Sequence, residues 1–167
     1  GAPNAGKSTL VNRMVGAKVA IVTQKVQTTR FPVRGIAMVN DAQLVLVDTP
    51  GIFRTRRRLD RAMVKAALAG AEEADVILHV IDATGWVAEK LKRPLTPAQK
   101  RSMEDDRRVM DDLKELGRPA ILALNKLVEF DHLEVLPVIQ ELSELGIYSD
   151  IFPISASNGD GVSKLAD

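Results

Sequence analysis

The chain of 167 residues carries a net charge of +1 and contains no cysteine. The near-neutral charge argues neither for nor against a nucleic-acid partner, and the absence of cysteine excludes disulfides, thiolate metal sites and a cysteine nucleophile. With 46% apolar residues the chain is typical of one globular domain. No apolar run approaches the ~20 residues of a transmembrane helix.

The first eight residues read G-x-x-x-x-G-K-S, the spacing of a phosphate-binding loop. Gly1 and Gly6 let successive backbone N–H groups turn toward a pyrophosphate, Lys7 reaches the β and γ phosphates, and the Ser8 hydroxyl binds Mg²⁺. A predicted helix over residues 7–15 directs its positive end at the anion. The loop predicts a nucleoside triphosphate site, although a glycine-rich turn without a ligand stays open on this motif alone.

Apolar segments with strand and helix periodicity alternate along the rest of the chain. Predicted strands cover residues 18–23, 31–39, 44–48, 75–81, 119–124 and 150–154, and predicted helices after the first cover residues 59–71, 97–116, 134–145 and a last segment opening at 159–162. Asn40 and Asp41 predict a hairpin turn. Thr96, Pro97 and Gln99 form a helix-capping pattern. The alternation predicts an α/β fold with a mostly parallel sheet.

Polar motifs follow three of the predicted strands, at residues 48–51 (D-T-P-G), 125–126 (N-K) and 155–156 (S-A). Ligands of such sheets bind at the carboxyl ends of the strands. The common placement of the three motifs therefore favours one site formed by all of them.

Each motif has chemistry that suits a bound nucleotide. Asp48 can hold Mg²⁺ through water, the Gly51 N–H can meet a γ-phosphate, and a threonine of residues 27–30 (Q-T-T-R) can complete the Mg²⁺ shell. Asn125 and Lys126 can grip a purine, with the lysine stem over the ring, and residues 155–156 can donate a backbone N–H to a base carbonyl. Taken singly, each motif is also an ordinary polar turn.

Other polar residues receive structural interpretations. His79 lies in an apolar strand and is interpreted as a core or edge residue, and His132 as a surface loop residue. A basic cluster after residue 51 is interpreted as a solvated face, with RNA phosphate contact as the less favoured alternative; it comprises Arg54, Arg56, Arg57, Arg58 and Arg61. Residues 85–100 are interpreted as a basic surface insertion of unassigned role.

Taken together, the motifs resemble those of Era-type GTPases, of the Era/TrmE/Der group of bacterial translation-associated GTPases. They are G-x-P-N-x-G-K-S-T-L at residues 1–10, K-V-x-I-V-x-x-K-x-Q-T-T-R at 18–30, V-D-T-P-G-I at 47–52, N-K at 125–126 and S-A at 155–156. The resemblance covers nearly the whole chain, and residues 18–30 carry its most specific part.

The resemblance implies a P-loop NTPase G domain that binds GTP or GDP with Mg²⁺, hydrolyses the γ-phosphate, and acts in small ribosomal subunit assembly and ribosomal RNA maturation. In Era-type proteins a C-terminal KH domain binds the small-subunit ribosomal RNA of the 30S subunit. We therefore expect residues 1–167 to be a single G domain truncated at both ends, without its first strand and without the KH domain. A monomer in the cytoplasm, with peripheral contact at the inner membrane as an addition, is expected.

The resemblance also implies roles by position. Lys7, Thr29 and Gly51 would be catalytic, and Ser8, Asp48 and Thr29 (with Thr28 as alternative) would ligate Mg²⁺. The implied nucleotide-binding residues are Gly1, Ala2, Pro3, Asn4, Ala5, Gly6, Lys7, Ser8, Thr9, Asp48, Thr49, Pro50, Gly51, Ile52, Asn125, Lys126, Leu127, Val128, Ser155 and Ala156. Relatives with an asparagine at the position of Asn4 can bind K⁺ there, so K⁺ is a second expected cofactor.

Two departures qualify the expected activity. The family reads N-K-x-D, but Val128 replaces the aspartate that would accept hydrogen bonds from guanine, with Glu129 or Asp131 as candidate substitutes. Ile52 and Phe53 cannot orient the attacking water as a glutamine does in some GTPases, so slow hydrolysis is expected. Two alternatives therefore stay open, a degenerate G domain acting as a scaffold and a Der-like GTPase.

Overall fold

The structure, a computed structural model, describes residues 6–17, 19–21, 33–39, 42–47, 75–127 and 130–166. Side chains are described for residues 6, 9–14, 75–127 and 130–165. The predicted helix over residues 59–71 lies outside these ranges.

The first part of the chain forms a helix and three antiparallel strands. Helix α1 covers Lys7–Ala17, and strands β1, β2 and β3 cover Val19–Ile21, Val33–Val39 and Ala42–Val47. The strands pair in the order β1-β2-β3, and Val39 of β2 lies opposite Ala42 of β3. This antiparallel pairing confirms that β2 and β3 form the predicted hairpin, whose turn at positions 40 and 41 lies outside the described residues.

The second part of the chain forms a three-stranded parallel sheet with helices between its strands. The elements in order are β4 (Leu78–Asp82), α2 (Ala83–Lys90), α3 (Pro97–Leu116), β5 (Ala120–Asn125), α4 (His132–Ser143), β6 (Tyr148–Pro153) and α5 (Val162–Ala166). The strands pair in the order β4-β5-β6. The predicted α/β class is confirmed, and every observed element except α2, which was not predicted, lies within a few residues of its predicted limits.

The parallel sheet is covered on both faces, which explains its apolar strands. Val80 and Ala123 face a cluster with Leu10 and Met14 of α1. The neighbouring residues of β4 and β5 point to the opposite face, since side chains alternate along a strand. That face packs against α2, α3 and α4 through a cluster of Ile81, Ala83, Trp86, Val87, Met103, Met110, Leu122, Leu124, Val135, Val138 and Leu142. Helix α1 is thereby fixed against the sheet whose strand ends carry the polar motifs.

Helix α3 begins and ends as its sequence predicts. The Thr96 side chain accepts a hydrogen bond from the Gln99 N–H at 3.1 Å, and the Gln99 side chain accepts one from the Thr96 N–H at 2.9 Å. Gly117 adopts φ = 70° and its N–H donates to the Leu113 carbonyl. Such a reciprocal cap and a left-handed glycine satisfy groups that a helix leaves unpaired at its ends.

The interpretation of residues 85–100 as a surface insertion was wrong for residues 85–88, whereas residues 89–100 lie largely at the surface. Gly85, Trp86, Val87 and Ala88 are buried in α2, and only the positions that follow them are largely exposed. A Cβ at Gly85 would lie 3.0 Å from the Met103 sulfur, so glycine permits the close approach of α2 and α3. In the described ranges, no helix is both long and apolar enough to cross a membrane.

Candidate nucleotide-binding site

Three segments that are distant in sequence meet at the carboxyl ends of the parallel strands. Asp82 ends β4 and lies opposite Asn125, which ends β5. Residues 155–161 follow β6, and Gly6 precedes α1 on the sheet face that holds Leu10 and Met14. The structure thus brings together the end of the glycine-rich loop, the N-K motif and the S-A motif, as their positions predict.

Asn125 joins the loops on either side of it. Its side chain is 3% exposed, and its Oδ1 accepts a hydrogen bond from the Ala156 N–H at 2.9 Å. A Cβ at Gly6 would lie 2.2 Å from the Asn125 Nδ2, and Gly6 has φ = +96°. Because an L side chain is excluded there by both space and backbone conformation, the glycine is required where this amide approaches. The amide therefore bonds the 155–161 loop.

Lys126 and Asp82 form an ion pair beside this amide. The Lys126 Nζ lies 2.9 Å from the Asp82 Oδ2, with side-chain exposures of 43% and 19%. Lys126 has φ = 68°, a left-handed conformation that is uncommon for lysine and recurs at functional sites. The Asp82 Oδ1 accepts hydrogen bonds from the Thr84 N–H at 3.0 Å and from the Thr84 hydroxyl at 2.7 Å. One carboxylate thus caps α2 and holds the lysine.

Sequence reasoning did not select Asp82. Its signal was an aspartate at the junction of an apolar strand and a helix, with Thr84 two positions later, which is an N-cap pattern. The pairing with Lys126 required the register of β4 against β5, which no local pattern contains.

The loop after β6 is held by its own backbone and by α1. The Ser155 N–H donates to the Asp160 carbonyl at 2.9 Å. The Arg13 Nε donates to the Ala156 carbonyl at 3.2 Å, and its Nη2 donates to the Ser157 carbonyl. Arg13 was not among the predicted site residues, since an exposed arginine on a helix has no distinctive sequence signal. In this structure the N–H groups of residues 155 and 156 both bond within the protein, and their contact with a base stays a prediction.

Much of the predicted phosphate and metal apparatus lies outside the described residues. This applies to residues 1–5, 28, 29, 48–54, 56–58, 61, 128 and 129, and to the side chains of Lys7 and Ser8, whose backbone begins α1. Thr9 is exposed on the same helix and Leu127 is half-buried against the core. Within the described ranges no three His, Cys, Asp or Glu side chains form a metal site. The side chains of the predicted Mg²⁺ ligands Ser8, Thr29 and Asp48 lie outside the described part of the chain.

Both histidines behave largely as interpreted. His79 is 1% exposed, and its Nδ1 lies 2.7 Å from the Tyr148 hydroxyl on β6, so it is a core residue. Burial raises the pKa of Tyr148, so that hydroxyl keeps its proton. His132 is exposed but is the first residue of α4 and not a loop residue.

A second polar group, which the sequence did not reveal, lies in the core away from the strand ends. Asp106 of α3 is fully buried, and its Oδ2 accepts a hydrogen bond from the Trp86 Nε1 at 2.9 Å. No described residue bonds its Oδ1. Burial raises the pKa of Asp106 from 3.8 to about 7, and the hydrogen bond from Trp86 opposes this rise. The Arg107 guanidinium lies 5.0 Å from the centroid of the Trp86 ring on the outer side.

Comparison with known proteins agrees with the motifs and with the fold. Residues 1–126 match the family described as 50S ribosome-binding GTPase. GTPase Era of Caulobacter vibrioides is 57% identical over 165 residues, and GTPase Era of Maricaulis maris is 52% identical over 167 residues. The alignments cover 99% and 100% of this chain but 52% and 53% of those proteins. The chain thus spans about half the length of the curated relatives it matches.

Solved structures are similar over the same range. A crystal structure of Era with MgGDPNP and nucleotides 1506–1542 of 16S ribosomal RNA superposes with a TM-score of 0.73 at 37% identity, covering 99% of this chain and 52% of that one. An Aquifex aeolicus Era variant bound to GDP and AlF4⁻ gives a TM-score of 0.71 at 37% identity, with coverage of 99% and 52%. The P-loop GTPase G-domain fold predicted from the sequence is confirmed.

Proposed function

Because the chain belongs to the 50S ribosome-binding GTPase family, with Era-type GTPases as its relatives, we propose that it binds GTP and Mg²⁺ and hydrolyses the γ-phosphate. The single observation that supports this most is the Asn125 amide, which joins the end of the glycine-rich loop to the 155–161 loop. A purine nucleotide needs its phosphates and its base held at a fixed separation. We propose that Asn125 serves this purpose by bonding the 155–161 loop and closely approaching Gly6.

The described residues supply the binding frame for this reaction. The close approach of Gly6 to Asn125 leaves the backbone of the glycine-rich loop without a side chain at this point, as a phosphate cradle requires. The N-terminus of α1 lies at the same edge and favours an anion. Bound Mg²⁺ would neutralise phosphate charge, and Ser8, Thr29 and Asp48 are the residues proposed to hold it. Lys7 and the Gly51 N–H are proposed to contact the β and γ phosphates.

Hydrolysis is proposed to be slow without a further component. The chain has Ile52 and Phe53 after Gly51, and neither side chain can hydrogen-bond a water. The water would then be oriented by backbone, by K⁺ at Asn4 or by a partner. Equal turnover in Na⁺ and K⁺ buffers would exclude the K⁺ contribution.

The proposed partners follow the relatives. Era has been crystallised with a segment of 16S ribosomal RNA, and we propose that the full protein acts on the small ribosomal subunit in the cytoplasm, with RNA contact through regions beyond residue 167. A monomeric state and a peripheral membrane contact remain predictions from the resemblance.

Titration calorimetry of the full-length protein with GTP, GDP and ATP tests nucleotide binding. Binding of GTP and GDP, followed by phosphate release, is expected. A non-hydrolysing scaffold is the second candidate function, and the observation that favours it is Val128, which cannot accept hydrogen bonds from the guanine N1–H and 2-amino groups. Binding of none of the three nucleotides would favour the scaffold.

Base selectivity has its own test at position 128. The variant Val128→Asp restores an acceptor for two donors, each worth about 1–3 kcal/mol when otherwise unpaired. The ratio of GTP to ATP affinity should therefore rise by about tenfold or more. Val128→Asn is the matched control, because it is polar and similar in size but lacks the charge. An unchanged ratio in Val128→Asp would show that position 128 does not read the base.

A further inference from the structure

The Asp82 carboxylate is held from two sides, and this makes it more than a surface ion-pair partner. Its Oδ1 accepts both Thr84 bonds at the start of α2, and its Oδ2 faces the Lys126 ammonium at 2.9 Å. A carboxylate whose first oxygen is bonded twice to the start of a helix cannot rotate freely. The position of the second oxygen, and with it the favoured position of the lysine head, is thus set by β4 and α2.

Lys126 depends on such a constraint. Its backbone is left-handed at φ = 68° and its side chain is 43% exposed, so four rotatable bonds separate a strained backbone from a largely solvated charge. Asn125, directly before it, is buried and fixed by Ala156. The lysine stem therefore begins at a rigid point and ends at Asp82, with its methylenes lying across the carboxyl ends of β5 and β4.

We propose that Asp82 is a positioning residue for nucleotide binding, which holds the Lys126 stem where it covers the face of the purine base. The inference rests on the proposed function, since it assigns a role within that site. Lys126 contributes a larger share of the binding of the base in this chain, because Val128 offers no carboxylate to the base. In this role Asp82 acts on the base only through its contact with Lys126.

The test separates positioning from the structural role of Asp82 as the cap of α2. Asp82→Ser keeps a good N-cap but removes the partner of the lysine. In the full-length protein its affinity for GDP should fall about fivefold, near the upper limit for a partly exposed ion pair. Affinity for inorganic tripolyphosphate, measured by competition, should not change, because that ligand has no base. Equal losses for GDP and for tripolyphosphate would overturn the proposal in favour of a general loosening of the site.

A double-mutant cycle makes the test independent of stability. Lys126→Met keeps an apolar stem but removes the ammonium, so Asp82→Ser should have no further effect on GDP affinity in that background. Additive losses would mean that Asp82 does not act through Lys126. Glu141→Gln is the matched control, because it breaks the exposed Lys90–Glu141 pair at 3.1 Å far from the strand ends and should leave GDP affinity unchanged.

The outcome also separates this inference from the function it rests on. A wild-type protein that binds no nucleotide overturns the proposed function and the positioning role together. If the wild-type protein binds GDP and the Asp82→Ser variant binds it equally tightly, the positioning role alone is overturned.

Discussion

The strand-end site and the Trp86–Asp106 pair use buried polar groups in opposite ways. At the strand ends, the buried Asn125 amide bonds the backbone of residue 156, beside a charge pair that is open to solvent. Between α2 and α3, a fully buried carboxyl has one bonded oxygen and one oxygen that no described residue bonds. The first arrangement fixes loops where a ligand can bind. The second keeps a titratable group in the core, at a cost that depends on its protonation.

Burial alone does not mark a functional residue in this protein. Asn125 and Asp106 are almost equally buried. The amide lies where three chain segments converge, whereas the carboxyl connects two helices that are adjacent in sequence. Convergence of distant segments, and not burial, therefore identifies the candidate site. The following experiments test this contrast, beginning with the largest expected effect.

The stability of the protein should fall as the pH rises through the range set by Asp106. Its folded-state pKa of about 7 lies above its ordinary value of 3.8. Below pH 3.8 the Asp106 carboxyl is protonated in both the folded and the unfolded protein. Between pH 3.8 and about 7 it loses its proton only in the unfolded protein. Unfolding is therefore increasingly favoured as the pH rises through this range. The full cost, about 4 kcal/mol for three pKa units, is present above pH 7.

Urea denaturation at pH 5 and pH 8, followed by Trp86 fluorescence, measures this change. Asp106→Asn removes the titration and should flatten the difference between the two pH values, although the amide itself lowers stability at both. Asp111→Asn, at an exposed position of the same helix, should retain the wild-type difference. If the wild-type protein loses no more stability between pH 5 and pH 8 than Asp106→Asn does, Asp106 is not a buried acid.

Removing the amide at the strand ends should act on binding more than on the core. Asn125→Ala leaves the Ala156 N–H without its acceptor and removes one of the contacts that hold the 155–161 loop. Losing a buried hydrogen bond costs about 1–3 kcal/mol, so GTP affinity should fall about tenfold to a hundredfold. Calorimetric titration measures this loss, with Gln140→Ala on the exposed side of α4 as the control. Unchanged GTP affinity would contradict the joining role of Asn125.

The smallest effect is expected at Arg107, on the outer face of the same pair. Its guanidinium lies over the Trp86 ring and 3.5 Å from Glu89, and both side chains are about half exposed. Arg107→Met should destabilise the protein by about 0.5–1 kcal/mol through the lost cation–π contact, with GTP affinity unaffected. Chemical denaturation and titration of the same sample give both values. A change in GTP affinity larger than the change in stability would connect the pair to the site and break the contrast.

Local chemistry explains which parts of the fold could be predicted from the sequence. The cap at Thr96 and Gln99, the stop at Gly117 and the pairing of β2 with β3 all depend on residues within a few positions of one another. The apolar strands of the parallel sheet were visible because both of its faces are covered. By contrast, α2 was misread as a surface insertion, since its burial depends on the approach of α3 at Gly85.

The spacing of apolar and polar residues is sufficient to predict the α/β class and the position of the N-K and S-A motifs at the strand ends, whereas the GTPase family follows from the resemblance of the motifs. The atoms that meet at the strand ends are selected by tertiary packing. The Asn125 bond to Ala156 and the Asp82 pair with Lys126 join residues 31 and 44 positions apart. Their partners are selected by the register of parallel strands, and that register is set by packing across the whole sheet.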